Sequence, residues 1–121
     1  MEIKKINLKD KFDSFTDYWS PKILGKLNGQ HVKVAKLKDE FVLHQHEKED
    51  EMFLVIKGKL LMELADKTLE INAGEFVVIP KGTNHKPVAV GEVKVLLFEP
   101  DTTVNTGNKE SERTIKKPDE I

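Results

Sequence analysis

Residues 41–58 read Phe41-Val42-Leu43-His44-Gln45-His46-Glu47-Lys48-Glu49-Asp50-Glu51-Met52-Phe53-Leu54-Val55-Ile56-Lys57-Gly58. Taken as a strand, Phe41 to His46 places His44 and His46 on one face, because strand side chains alternate with period two. Val42 shares that face, so both imidazoles turn toward an apolar interior. Packing alone explains such a pair poorly, since each imidazole carries two ring nitrogens that need partners. Glu47 to Asp50 read as a polar turn, and Glu51 opens the next strand, which brings its carboxylate back beside the histidines. Two imidazoles and a carboxylate converging in this way form a divalent-metal site.

A second block lies downstream: Gly74-Glu75-Phe76-Val77-Val78-Ile79-Pro80-Lys81-Gly82-Thr83-Asn84-His85. It reads as a turn, a strand, a Pro-Gly turn and a third histidine. Alone, His85 would pass for a surface histidine after a turn.

Outward from these blocks the pattern is one of short strands. Val32 to Leu37, Phe41 to His46, Met52 to Ile56, Lys59 to Leu64, Thr68 to Ile71, Phe76 to Ile79 and Val93 to Phe98 are rich in aliphatic, aromatic and β-branched residues. Gly, Pro and Asp turns separate them, which predicts an all-β barrel or sandwich. Residues 1–30 form a mixed cap. There Asn7 or Asp10 starts a short helix, Phe12, Phe15, Tyr18 and Trp19 seal one end of the core, and Pro21 and Leu27-Asn28-Gly29 make breaks. One domain spans 1–104, with its barrel at about 31–100. Residues 105–121 read as a polar tail, loose or lying along a neighbour.

The 121 residues suffice for one domain. A charged fraction of 34% against 38% hydrophobic describes a soluble globular chain. The net charge of −1 gives no electrostatic reason for nucleic acid or an anionic membrane as partner. Of 20 basic residues only Arg113 is arginine, so the barrel lacks the usual bidentate clamp for phosphate or carboxylate. The absence of cysteine excludes disulfides, thiolate ligands and a cysteine nucleophile. No apolar run exceeds Met52 to Ile56, which is too short for a signal peptide or a membrane span and makes the cytoplasm the expected location.

Together the blocks read H-x-H-x4-E-x6-G across His44, His46, Glu51 and Gly58, and G-x5-P-x-G-x2-H across Gly74, Pro80, Gly82 and His85. This resembles the two signature motifs of the cupins over residues 31–100, with the short inter-motif spacing of compact one-domain members. Two positions depart from the pattern: Lys38 where the first motif usually begins with Gly, and Ala89 where the second often ends in Asn. The resemblance implies a jelly-roll β-barrel with a metal inside, held by His44, His46, Glu51 and His85. Three imidazoles and a carboxylate leave open positions on an octahedral ion, which in this family is iron, manganese, nickel or zinc. His31 fits neither motif and reads as a surface or turn histidine.

Three functions are compatible with such a centre. The first is a metalloenzyme working on a small, sugar-like polar molecule by isomerase, epimerase or lyase chemistry. The others are a non-haem iron oxygenase and a non-catalytic small-molecule binding module. No catalytic residue is singled out: Glu63, Glu92, Lys86 and Lys94 are equally acid–base candidates and surface charges. Strand parity adds an assembly expectation. With Glu51, Phe53 and Val55 inward, Met52, Leu54 and Ile56 form an outward apolar stripe, which predicts a homodimer through this strand. The alternatives are cover by the N-terminal segment with Phe12, Phe15 and Trp19 or by a second layer of the sandwich.

Overall fold

A computed structural model describes residues 2–121. The chain runs α1 (Leu8–Asp13), β1 (Lys22–Leu27), β2 (Gln30–Glu40), β3 (Glu51–Glu63), β4 (Thr68–Asn72), β5 (Phe76–Ile79) and β6 (Lys86–Pro100). The strands form one antiparallel sheet in the order β1-β2-β6-β3-β4, and β5 also pairs with β3. The fold is the expected all-β jelly roll. No helix among the described residues is long and apolar enough to cross a membrane.

The long strands β3 and β6 let the sheet roll into a barrel. In β3 the register slips around Lys57 and Gly58, so what reads as two strands is one strand with a bulge. Gly58 has φ +93, and a Cβ there would lie 2.8 Å from the Glu92 carbonyl oxygen. A side chain is excluded at that bend, which accounts for the glycine in the first motif. The β1–β2 hairpin, absent from the sequence reading, turns at Asn28 and Gly29, both with positive φ as a tight hairpin turn requires.

Inward residues of β2, β3 and β6 make one core. Leu37, Val55, Leu60, Met62, Val93 and Val95 are nearly or fully buried, each side chain contributing about 1.5–3 kcal/mol. The aromatic cap divides in two. Trp19 enters the core and stacks on Phe41, with ring centroids 4.5 Å apart and planes at 12°. Phe12 and Phe15 stay outside: α1, capped by Asn7, packs on β2, and Phe12 and the outward Val34 are buried there apart from the barrel core. Tyr18 is exposed and donates to Glu92.

Two expectations need correction. Phe41 to His46 is not a strand. The β2 ladder shifts register at Asp39 (φ 61) and ends at Glu40, after which the chain makes a single bridge, His44 opposite His85. Residues 105–121 are not a loose tail either. Thr106 is fully buried and hydrogen-bonded to Thr114, Ile121 N–H donates to the Ile23 carbonyl, and Lys11 donates to the Ile121 carbonyl. Polar composition misled here because these groups find partners inside the fold.

Parity in β3 is as expected. Glu51, Phe53 and Val55 are buried, while Met52, Leu54 and Ile56 face outward and are half-buried. Cross-strand register continues the stripe into two rows: Val32, Phe98, Met52 and Val78, then Leu96, Leu54 and Phe76. Phe76 and Val78 remain 63% and 51% exposed.

Candidate metal centre

Three elements deliver four side chains to one point inside the barrel. Glu51 is the first residue of β3, and its place in the inward series with Phe53 and Val55 points it to the interior. His85 ends the turn before β6. Its N–H donates to the His44 carbonyl and its carbonyl accepts from His44 N–H, at 2.8 and 3.0 Å, which fixes the two rings side by side. His46 follows two residues on, and its carbonyl accepts from Gly82 N–H at 2.7 Å. All four side chains are almost completely buried.

The donor atoms of His44, His46, Glu51 and His85 lie within 4.8 Å of one another. Glu51 Oε1 stands 3.3 Å from His46 Nε2 and 3.4 Å from His85 Nε2. His44 Nδ1 donates to the Val42 carbonyl at 2.8 Å and His85 Nδ1 to the Thr83 carbonyl at 2.9 Å. Those bonds select the tautomer whose Nε2 lone pair faces the centre. Nε2 of His44, His46 and His85 and Oε1 of Glu51 have no hydrogen-bond partner. Four converging buried donor atoms without partners are costly in a bare protein and are what an ion bonded at about 2.0–2.2 Å to each would satisfy. The residues fit a divalent cation.

The electrostatics agree. Burial, with His85 adding to it, brings His44 down to about 4, so its imidazole is neutral at physiological pH. Burial opposes ionisation of Glu51, but its surroundings, the Glu99 carboxyl among them, hold it well below the usual range. A neutral imidazole and an ionised carboxylate are the forms that bind metal.

A second buried pair lies beside the centre. Lys33 Nζ reaches Glu99 Oε1 at 2.9 Å, and Glu99 Oε2 has no partner. Burial raises the Glu99 carboxyl well above its usual range, and the adjacent Glu51 charge raises it further. Sequence reading missed this pair, although the inward series Val93, Val95, Leu97 continues to Glu99. Glu99, Glu51, His44 and Asn105 are the polar groups around a cavity of about 30 Å³, whose other walls include Trp19, Phe41, Phe53 and Leu97.

The remaining candidates stand elsewhere. Lys86 pairs with Glu40 at 2.9 Å, Glu92 accepts from Tyr18, Lys94 lies over the Phe12 ring on the outer surface, and Glu63 ends β3 half-buried. None joins the cluster. His31 is a half-buried residue of β2 rather than of a turn, because β2 starts one residue earlier, and it too lies outside the four.

Comparison with known proteins places this geometry. The family model of the cupin domain matches residues 30–99. A solved cupin-2 domain protein from Shewanella frigidimarina is 42% identical, with a TM-score of 0.77 over 78% of this chain and 93% of that one. Protein NMB1881 from Neisseria meningitidis is 27% identical, with a TM-score of 0.73 over 81% of this chain and all of the other. The Bacillus subtilis protein YdbB, itself uncharacterised, is 36% identical over 64 residues, which are 52% of this chain and 57% of that one. This chain thus spans little more than half the length of that curated relative. With both motifs and the buried histidine–glutamate cluster inside the matched residues, which are more than half of its length, the chain belongs to the cupin domain family.

Proposed function

We propose that the chain is a metal-dependent enzyme acting on a small, largely apolar molecule bound against the ion in the barrel cavity. The observation that carries this reading is the cavity itself, which touches two metal donors, His44 and Glu51, and is otherwise walled mainly by aromatic and aliphatic side chains. A bound ion would be held by His44, His46, Glu51 and His85 and would supply Lewis-acid polarisation of a ligand oxygen at its open positions. Trp19 and Phe41 exclude water from that side.

These walls argue against the sugar-like substrate expected from sequence. Beyond the metal ligands only Glu99 and Asn105 offer hydrogen bonds, so most hydroxyls of a buried sugar would go unpaired, at about 1–3 kcal/mol each. Among the described residues a phosphate finds no free cation at the cavity either. Lys33 is committed to Glu99, and Arg113 donates to the Glu40 carbonyl while lying over Trp19 and Phe41. The same apolar walls favour oxygenase chemistry as the second reading, because they shield a reactive centre from water.

Calorimetry on the metal-loaded protein tests the substrate class. Acetone, a ketone small enough to approach a cavity of about 30 Å³, is expected to bind at least about tenfold more tightly than glucose, with the negative heat-capacity change of apolar burial. Tighter glucose binding would restore the sugar reading. Oxygen uptake on adding apolar substrates selects the oxygenase, and binding without turnover of any kind would mark a binding module instead.

We also propose that the outer apolar rows pair two copies of the chain. Lys36, Lys57 and Lys94 make the next outward row at one end, and Asp50 stands two residues before Met52 at the other. A two-fold antiparallel arrangement therefore sets unlike charges opposite. Light scattering should give a dimer for the wild type and a monomer for Leu54→Asp. A wild type that is monomeric at micromolar concentration would refute the pairing.

A further inference from the structure

The metal-donor segment His44-Gln45-His46 has one edge against the β5–β6 connection, at His85 and Gly82, and no strand along the other. That second edge is taken by the C-terminal segment. Gln45 N–H donates to Asn108 Oδ1 at 3.0 Å, and Asn108 N–H donates back to the Gln45 carbonyl at 2.9 Å. One residue earlier, Gly107 lies with φ +56 directly against Gln45 and the His44 ring. A Cβ there would run into the Gln45 carbonyl oxygen and come within 3.0 Å of the His44 ring. The His44 ring is thus held between the Val42 carbonyl, at Nδ1, and the bare Gly107 backbone.

The segment is braced so that it can hold this position. Thr106 is fully buried and bonded to Thr114 at 2.6 Å. Asn105 accepts from Ile115 N–H and donates to the Arg113 carbonyl, both at 2.8 Å. All of these residues lie beyond the family match, which ends at residue 99.

We propose that Asn105 to Asn108 form a clamp for the metal centre, in which Gly107 and Asn108 are positioning residues that set the orientation of His44 and His46 and so the affinity for the ion. The idea rests on the metal-centre reading. Without the clamp, the backbone groups of Gln45 lose both partners, and the two donors sit on an irregular loop free to reorient. Groups that orient a ligand without touching the metal commonly change affinity by about 10- to 100-fold.

The test is metal affinity, measured by chelator competition on the full chain, together with the visible spectrum of the cobalt-substituted protein. Gly107→Ala should weaken binding by about 10- to 100-fold and Asn108→Ala by about tenfold, both with altered cobalt bands. Asn108→Asp keeps the acceptor oxygen and should behave as wild type. Asn108 is exposed, so its variants preserve the test where Gly107→Ala fails to fold. Wild-type affinity and spectrum in Asn108→Ala, with or without a lower melting temperature, would overturn the clamp alone. A wild type that binds no metal would overturn the metal centre and the clamp with it.

Discussion

Replacing His46 by alanine is expected to strip most of the metal from the protein while leaving the barrel folded. His46 supplies one of four converging donors, and losing a donor should weaken binding by more than the roughly 10- to 100-fold that follows loss of an outer partner. The fold survives because the core is built from the inward residues of β2, β3 and β6, and because the bonds at residue 46 that hold the segment are backbone bonds. Both ring nitrogens of His46 lack partners in the bare protein. Truncation therefore removes an unsatisfied buried group as well as packing, and metal-free stability should change by no more than about 2 kcal/mol. His85→Ala should behave alike, since its bridge to His44 is also made by backbone. Elemental analysis and thermal melting of each variant read the two effects separately. Unchanged metal content in His46→Ala would show that the donor assignment is wrong.

The second expectation concerns acid. His44 is brought down to about 4 in the folded protein, by burial first and by the neighbouring His85 second, against about 6.5 in an unfolded chain. Above pH 6.5 it is neutral in both states and contributes no pH dependence. Between 6.5 and 4 the unfolded chain takes up a proton that the folded protein refuses, so stability falls with pH by about 1.4 kcal/mol per unit. Below about 4 the loss, on the order of 3 kcal/mol, is complete. Glu99 works in the opposite sense above its unfolded value, because its raised carboxyl keeps a proton that the unfolded chain gives up. The clean measurement is therefore the stability difference between metal-free wild type and metal-free His44→Gln, by urea unfolding at several pH values. The wild type should lose about 3 kcal/mol relative to the variant from pH 7 to pH 4. A difference that stays flat would mean that His44 takes up protons as readily folded as unfolded.

Much of the site was legible because it depends on local rules. Period-two alternation from Glu51 correctly turned Phe53 and Val55 inward and Met52, Leu54 and Ile56 outward. The resemblance to the two cupin motifs pointed to His44, His46, Glu51 and His85, which the fold brings within 4.8 Å of one another. Gly58 came with them, although its reason, the nearby Glu92 carbonyl, needed the fold. What escaped depends on distant partners. Phe41 to His46 looks like a strand by composition, yet at Gln45 the ladder bonds go to Asn108, 63 residues away. Thr106 looks like tail because it is polar, and its burial follows from Thr114 being there to bond it. Lys33 and Glu99 sit inward on different strands, and only the register of β2 on β6 makes them a pair rather than two misplaced charges. Parity was readable within a strand; register between strands was not.

The central claim, that three imidazoles and one carboxylate close on a single ion, is met most directly by X-ray absorption at the metal edge of protein purified without chelator. The spectrum should show one ion per chain with three nitrogen donors from imidazole and one carboxylate oxygen, at about 2.0–2.2 Å, besides any water oxygens. An ion surrounded by oxygen alone, with no imidazole scattering, would contradict the account, as would a protein that carries no metal and takes up none when it is offered.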